Sequence, residues 1–132
     1  MTVFTEEVKA AMQGIIPSVL VTCSPDGIPN ITYISQVYYV DEEHVALSHQ
    51  FFNKSIRNIR ENPMICVCIV HPETMQMWRC DGKYIRSETE GRTFEEMSAQ
   101  LEAIATMTGM EKVFKLISAD IYKILAFEEI PM

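Results

Sequence analysis

Apolar and polar positions follow a two-residue rhythm or gather into short apolar blocks along most of the chain. In three places the rhythm changes to a three- and four-residue spacing. Thr5, then Glu6-Glu7-Val8-Lys9-Ala10-Ala11-Met12, puts a capping side chain before first-turn acids and good helix formers; this predicts a short opening helix, with Gly14 as its stop. Ile16 to Cys23 reads as a strand, and Ser24-Pro25-Asp26-Gly27 as a tight turn in which glycine supplies the positive φ. A second strand follows from Ile28 through Ser35 and runs on to Val40, making a hairpin with the first. After the polar turn Asp41-Glu42-Glu43 comes a third strand, His44 to Ser48. Asn53 is placed to cap a helix from Lys54 to Glu61, which Asn62-Pro63 ends because a residue before proline is pushed out of the helical region. Met64 to Val70 is apolar enough for a strand buried on both faces, and Thr74 to Cys80 is another strand. Asp81-Gly82 then signals a hairpin into Lys83 to Glu88. Thr93 opens a helix whose stripe is Met97, Leu101, Ile104 and Ala105, and Gly109 interrupts it. A further helical turn is expected from Glu111 to Leu116, and Ala119 to Phe127 closes the sheet.

These elements amount to six or seven strands, mostly in hairpins, with helices at the start, in the middle and late. Hairpins imply an antiparallel sheet, and short strands with so few helices to cover them are best closed into a barrel. The expected fold is mainly β, and 132 residues are the size of one domain, residues 1–132.

The formal charge of −7, from 11 basic and 18 acidic residues, argues against a nucleic-acid footprint or an anionic membrane surface. No apolar run approaches the ~18 residues of a spanning helix, and the start has no basic region followed by an apolar one; a soluble, cytoplasmic protein is expected. Cys23, Cys66, Cys68 and Cys80 are then expected as free thiols in strands. A metal site would need two more ligands beside Cys66 and Cys68, and no second pair stands at ligand spacing.

Against the acidic balance, Ser48-His49-Gln50-Phe51-Phe52-Asn53-Lys54-Ser55-Ile56-Arg57-Asn58 gathers Lys54 and Arg57, hydroxyls and amides around a helix start. Free backbone N–H groups and the positive end of the helix dipole favour an anion there, and a phosphate monoester suits such donors. On the residues alone, a capped surface helix with solvated basic side chains reads equally well.

The order strand, Ser24-Pro25-Asp26-Gly27-Ile28-Pro29 turn, strand, turn, strand, and then the Lys-x-x-x-Asn-Ile-x-x-Asn-Pro element from Lys54 to Pro63 resembles the pyridoxamine 5'-phosphate oxidase-like split-barrel family. The resemblance implies an antiparallel six- to seven-stranded split β-barrel that binds flavin mononucleotide (FMN) in a groove between the subunits of a homodimer. Carried over by position, Lys54 and Ser55 contact the flavin phosphate, with Arg57 and Asn58 supporting or sharing that role. Thr32, Tyr33, Ile34 and Ser35 lie along the ring, Ser48 and His49 beside the ribityl chain, and Met77, Trp78 and Arg79 are candidates to reach the flavin. As ordinary residues, Thr32, Tyr33 and Ser35 are strand positions, His49 is a polar loop histidine, and Trp78 is a core or interface anchor. The family's namesake enzymes end in an arginine-rich segment that grips the substrate phosphate. This chain ends Phe127-Glu128-Glu129-Ile130-Pro131-Met132, so oxidation of pyridoxamine phosphate is not expected. The expected function is an FMN-dependent oxidoreductase passing electrons between small molecules. The alternatives are a flavin-binding or redox-sensing module without turnover, and a barrel that holds haem or a deazaflavin instead.

Overall fold

The computed structural model describes residues 4–12, 17–34, 37–49, 54–109 and 116–131, and of residues 49, 54, 55, 104 and 108 the backbone alone. In chain order the elements are α1 (Glu6–Ala11), β1 (Ser18–Cys23), β2 (Pro29–Ile34), β3 (Val37–Asp41), β4 (His44–His49), α2 (Lys54–Glu61), β5 (Met64–Val70), β6 (Met77–Glu88), α3 (Arg92–Thr108) and β7 (Ser118–Ile130). The strands form one seven-stranded sheet in the order β2-β1-β5-β6-β7-β4-β3, and every neighbouring pair is antiparallel.

Why this sheet must curl follows from its order. β2 and β3 sit at opposite edges, yet the link from Ile34 to Val37 is three residue steps, at most about 11 Å of chain. Six strand spacings of about 4.8 Å would separate those edges by about 29 Å in a flat sheet. The edges are therefore drawn together, with β2 approaching β4, and the sheet is a split barrel.

The barrel interior is filled by alternate residues, among them Leu20, Ile34, Val37, Leu47, Ile65, Val67, Ile69, Trp78 and Tyr122, with Phe4, Val8 and Met12 from the α1 region packed against them. On the other face of β4 and β7, Met97 and Leu101 of α3 cover Ala46, Ala119 and Ile121. At its start α1 is capped as expected, Thr5 Oγ1 accepting from the Val8 N–H at 3.3 Å. Gly109 ends α3 in the left-handed conformation, φ 72°, its N–H bonded to Ala105 and Thr106 carbonyls. Among the described residues no helix is long and apolar enough to cross a membrane.

Three expectations are corrected. The second strand does not run on to Val40: β2 ends at Ile34, and β3 belongs to the opposite edge, paired with β4. Asp81-Gly82 is not a hairpin turn, because β6 runs unbroken through it for 12 residues. There the β6–β7 register shifts, Asp81 facing Ala126 and Gly82 facing Ile124, so Leu125 is the extra residue of a bulge. Glycine at 82 suits a close approach: a Cβ would stand 3.2 Å from the Lys123 carbonyl oxygen, tighter than most such contacts. β5 is buried on one face only. Ile65, Val67 and Ile69 point inward, while Cys66 and Cys68 are half-buried and Met64 is exposed, because among the described residues no element covers the outer face. The stop at Gly14 and the helical turn at residues 111–115 lie outside the described residues.

Candidate cofactor site

The helix expected from Lys54 to Glu61 forms with those bounds and lies on β1 and β2. Its inward side carries Ile59 and Asn58, both buried. Asn58 Nδ2 donates to Thr22 Oγ1 at 3.1 Å, and both residues are almost fully enclosed, at 2% and 1% exposure. One turn later Asn62 Nδ2 donates to the Cys23 carbonyl at 3.3 Å, while its Oδ1 accepts from the Met64 N–H. The Pro63 carbonyl accepts from the Tyr84 N–H at 2.9 Å. The Asn58, Asn62 and Pro63 motif thus fastens the end of α2 to β1 and β6, a use that sequence reasoning, which grouped Asn58 with the anion ligands, did not anticipate. An asparagine next to the core-facing Ile59, on the apolar side of the helix, was the available signal.

With its far end fixed, the first turn of α2 faces away from this joint. It carries no acid, and Arg57 is exposed. Among the described residues the ion pairs are Asp41 with His44, Arg79 with Asp81, Arg86 with Glu88 and Arg92 with Glu96; none engages Arg57 or Arg60. The backbones of Lys54 and Ser55 form this first turn, and their side chains lie outside the described residues.

Two strands lie beside α2 in turn. β2 lies under α2, with Thr32 half-buried opposite Leu20, Ile34 buried opposite Ser18, and Tyr33 turned outward at 74% exposure. β4 approaches β2 and ends at Ser48, which is buried opposite Ala119, and at His49, whose side chain is outside the described residues. The link between β2 and β3 includes Ser35, also outside the described residues. α2 thus contacts β2, and β2 contacts β4, the strands that carry Thr32, Ile34 and Ser48.

Trp78 does not join them as a surface group. At 6% exposure it is part of the barrel core, opposite Ile69. Arg79 points to the outer face and holds Asp81 at 3.0 Å; Met77 is half-buried at the start of β6.

A second concavity, of about 370 Å³, lies on the outer sheet face and is lined by Val21, Cys23, Met64, Cys66, Arg79 and Leu125 among others. Cys66 here, and Cys80 in the barrel core, are not poised as nucleophiles. Burial, then the neighbouring Asp81 carboxylate, pushes Cys66 up to about 11, and burial takes Cys80 to about 12. All four cysteines are free. The same face exposes Ile31 at 69% and Met64 at 43%, beside Tyr33.

A protein of Methanocaldococcus jannaschii, the uncharacterized protein MJ0282, is 26% identical over 101 residues, 74% of this chain and 67% of that protein. An FMN-binding protein from Syntrophomonas wolfei shares the fold with a TM-score of 0.76 at 16% identity, covering 96% of this chain and 88% of that one. HutZ, the haem storage protein of Vibrio cholerae, superposes with a TM-score of 0.62 at 16% identity, over 98% and 95% of the two chains. An F420 reductase does so with 0.64 at 15%, over 91% and 94%. The family model described as pyridoxamine 5'-phosphate oxidase matches residues 4–124, nearly the whole chain, and the protein belongs to that family.

Proposed function

We propose that this chain is a homodimeric flavoprotein that holds FMN with its phosphate at the head of α2, and that it works as an oxidoreductase on small molecules. The observation that carries this reading is the head of α2 itself. In a chain of net charge −7, its first turn combines Lys54, Ser55 and Arg57 with no acid, and no described carboxylate pairs with Arg57. The first N–H groups of a helix lack intrahelical partners, and a phosphate dianion satisfies both them and the cations.

In this arrangement Lys54 and Ser55 hold the phosphate and Arg57 adds charge, while Asn58 keeps the helix in place through Thr22. Thr32, Tyr33, Ile34 and Ser35 offer backbone groups along the ring, with Ser48 and His49 beside the ribityl chain. When bound, FMN would supply hydride or single-electron transfer. The protein's part is to position the ring and to set what can reach it.

The partner surface in this reading is the outer sheet face, where Ile31, Tyr33 and Met64 are exposed. F420 and haem are the competing cofactors, since an F420 reductase and HutZ share the fold. The test is the visible absorption of the purified protein together with the mass of whatever copurifies or is taken up when offered. A flavin spectrum and FMN are expected; a haem or deazaflavin spectrum, or failure to take up FMN, overturns the cofactor. Reduction by a nicotinamide donor and transfer to a small acceptor are expected next, and a flavin inert to both makes the protein a binding module.

A further inference from the structure

β3 is the last strand of the sheet, so one of its sides has no strand neighbour among the described residues. Beside it is a cavity of about 200 Å³ lined by Lys9 and Met12 from the α1 region, Val37, Tyr38 and Tyr39 from β3, and Gln100 from α3. It is separate from the outer-face concavity, with which it shares no lining residue.

Its walls are held in place. The Tyr39 ring meets Phe4 edge-on at 4.8 Å, and its hydroxyl donates to Glu42 at 3.1 Å. The Tyr38 hydroxyl donates to Glu96, which Arg92 also holds, at 3.0 Å. Burial, then Glu96, pushes Tyr38 up to about 12, so at neutral pH it is a hydroxyl and not an anion. Lys9 Nζ stands 4.6 Å from the Tyr39 ring centroid, and among the described residues no carboxylate pairs with it. A cation–π contact leaves the ammonium's hydrogen-bond donors open.

One lining residue connects the cavity to positions expected beside the cofactor. Val37 follows the link that contains Ser35, and it pairs with Leu47, the neighbour of Ser48.

We propose that this cavity holds the small molecule on which the cofactor acts, and that the molecule is a single-ring organic anion with its acid group on Lys9. The volume is below the roughly 300–1,000 Å³ of drug-sized pockets, which limits the occupant to about one ring. Aromatic and aliphatic walls suit the ring, and Gln100 and the ammonium are the polar groups that fix its orientation. The acceptor role rests on the flavin reading above; the preference for an anion does not.

The test is calorimetric titration of the purified protein with benzoate and with benzamide, its uncharged counterpart of similar shape, and FMN affinity is measured alongside. Benzoate is expected to bind about ten- to hundredfold tighter than benzamide. The Lys9→Gln variant should abolish that preference. Gln100→Trp, on an exposed helical position, should fill the cavity and remove both ligands while the protein keeps its folded circular dichroism spectrum. Equal binding of the two probes, or a preference that survives Lys9→Gln, overturns the site whatever FMN does. In flavin-loaded protein, benzoate should shift the visible flavin bands, and tight benzoate binding with no shift overturns the acceptor role. Benzoate selectivity in a protein that refuses FMN would overturn the acceptor role and the flavin reading while the anion site stood.

Discussion

Two side chains of α2 that sequence spacing groups together have separate tasks, and substitution separates them. Replacing Asn58 with Ala leaves the Thr22 hydroxyl enclosed without its partner, which should cost about 1–3 kcal/mol of stability, read from the denaturant midpoint. Because the penalty comes from the abandoned hydroxyl, adding Thr22→Val to Asn58→Ala should recover part of it, and strictly additive losses would show that the two are not coupled. Under the proposed function Lys54 has the other task, the phosphate. Lys54→Ala should weaken FMN by about 1.5–3 kcal/mol and hardly affect riboflavin, which has no phosphate. Equal loss for both ligands would remove Lys54 from the phosphate.

At the scale of elements, two glycines that look alike in sequence differ in what they require. Asp26-Gly27 and Asp81-Gly82 are the same dipeptide, yet Gly27 has φ +83° with open space around its Cα, whereas Gly82 lacks positive φ and is crowded by the Lys123 carbonyl. Asparagine tolerates the left-handed region, so Gly27→Asn should be better tolerated than Gly27→Ala. At Gly82 the order should reverse, with Ala costing about 1–3 kcal/mol and Asn more, since bulk is what the bulge refuses. Thermal or denaturant midpoints of the four variants check this, and the same ranking at both sites would refute it. The pair also shows where the sequence could be read and where it could not. α2 and β5 were legible to their end residues because local signals fix them: Asn62-Pro63 stops the helix, and an unbroken apolar block makes the strand. β6 was not, because Asp-Gly states a local turn preference and the close approach that favours glycine at 82 arises from β7, some forty residues on. Likewise the basic head of α2 stood out against an acidic chain. The burial of Asn58 did not, because it depends on which strands become neighbours.

For the whole molecule, the closure of the sheet governs what a single protomer can offer. With β2 and β3 drawn together, the interior is filled by side chains, so a flavin ring has no room inside and must lie against the outside of the barrel. The outside is unusually apolar where β2, β1 and β5 run together: Tyr33, Val19 and Cys68 stand abreast, as do Ile31, Val21 and Cys66. If this face meets its counterpart in a second copy, and the groove for FMN is shared between them, dissociation must release the cofactor. Dilution through the dimer's dissociation range should therefore free FMN in step with the loss of the dimer, followed by flavin fluorescence and sedimentation. Ile31→Lys sharpens the test, because Ile31 is 69% exposed in the protomer and its replacement should alter folding stability by no more than about 0.5 kcal/mol. A charge there is costly only when the face is covered. The expected result is a folded monomer with an unchanged circular dichroism spectrum and greatly weakened FMN binding. A folded monomer that keeps its flavin would confine the cofactor to one chain, and a variant that stays dimeric would move the interface off this face.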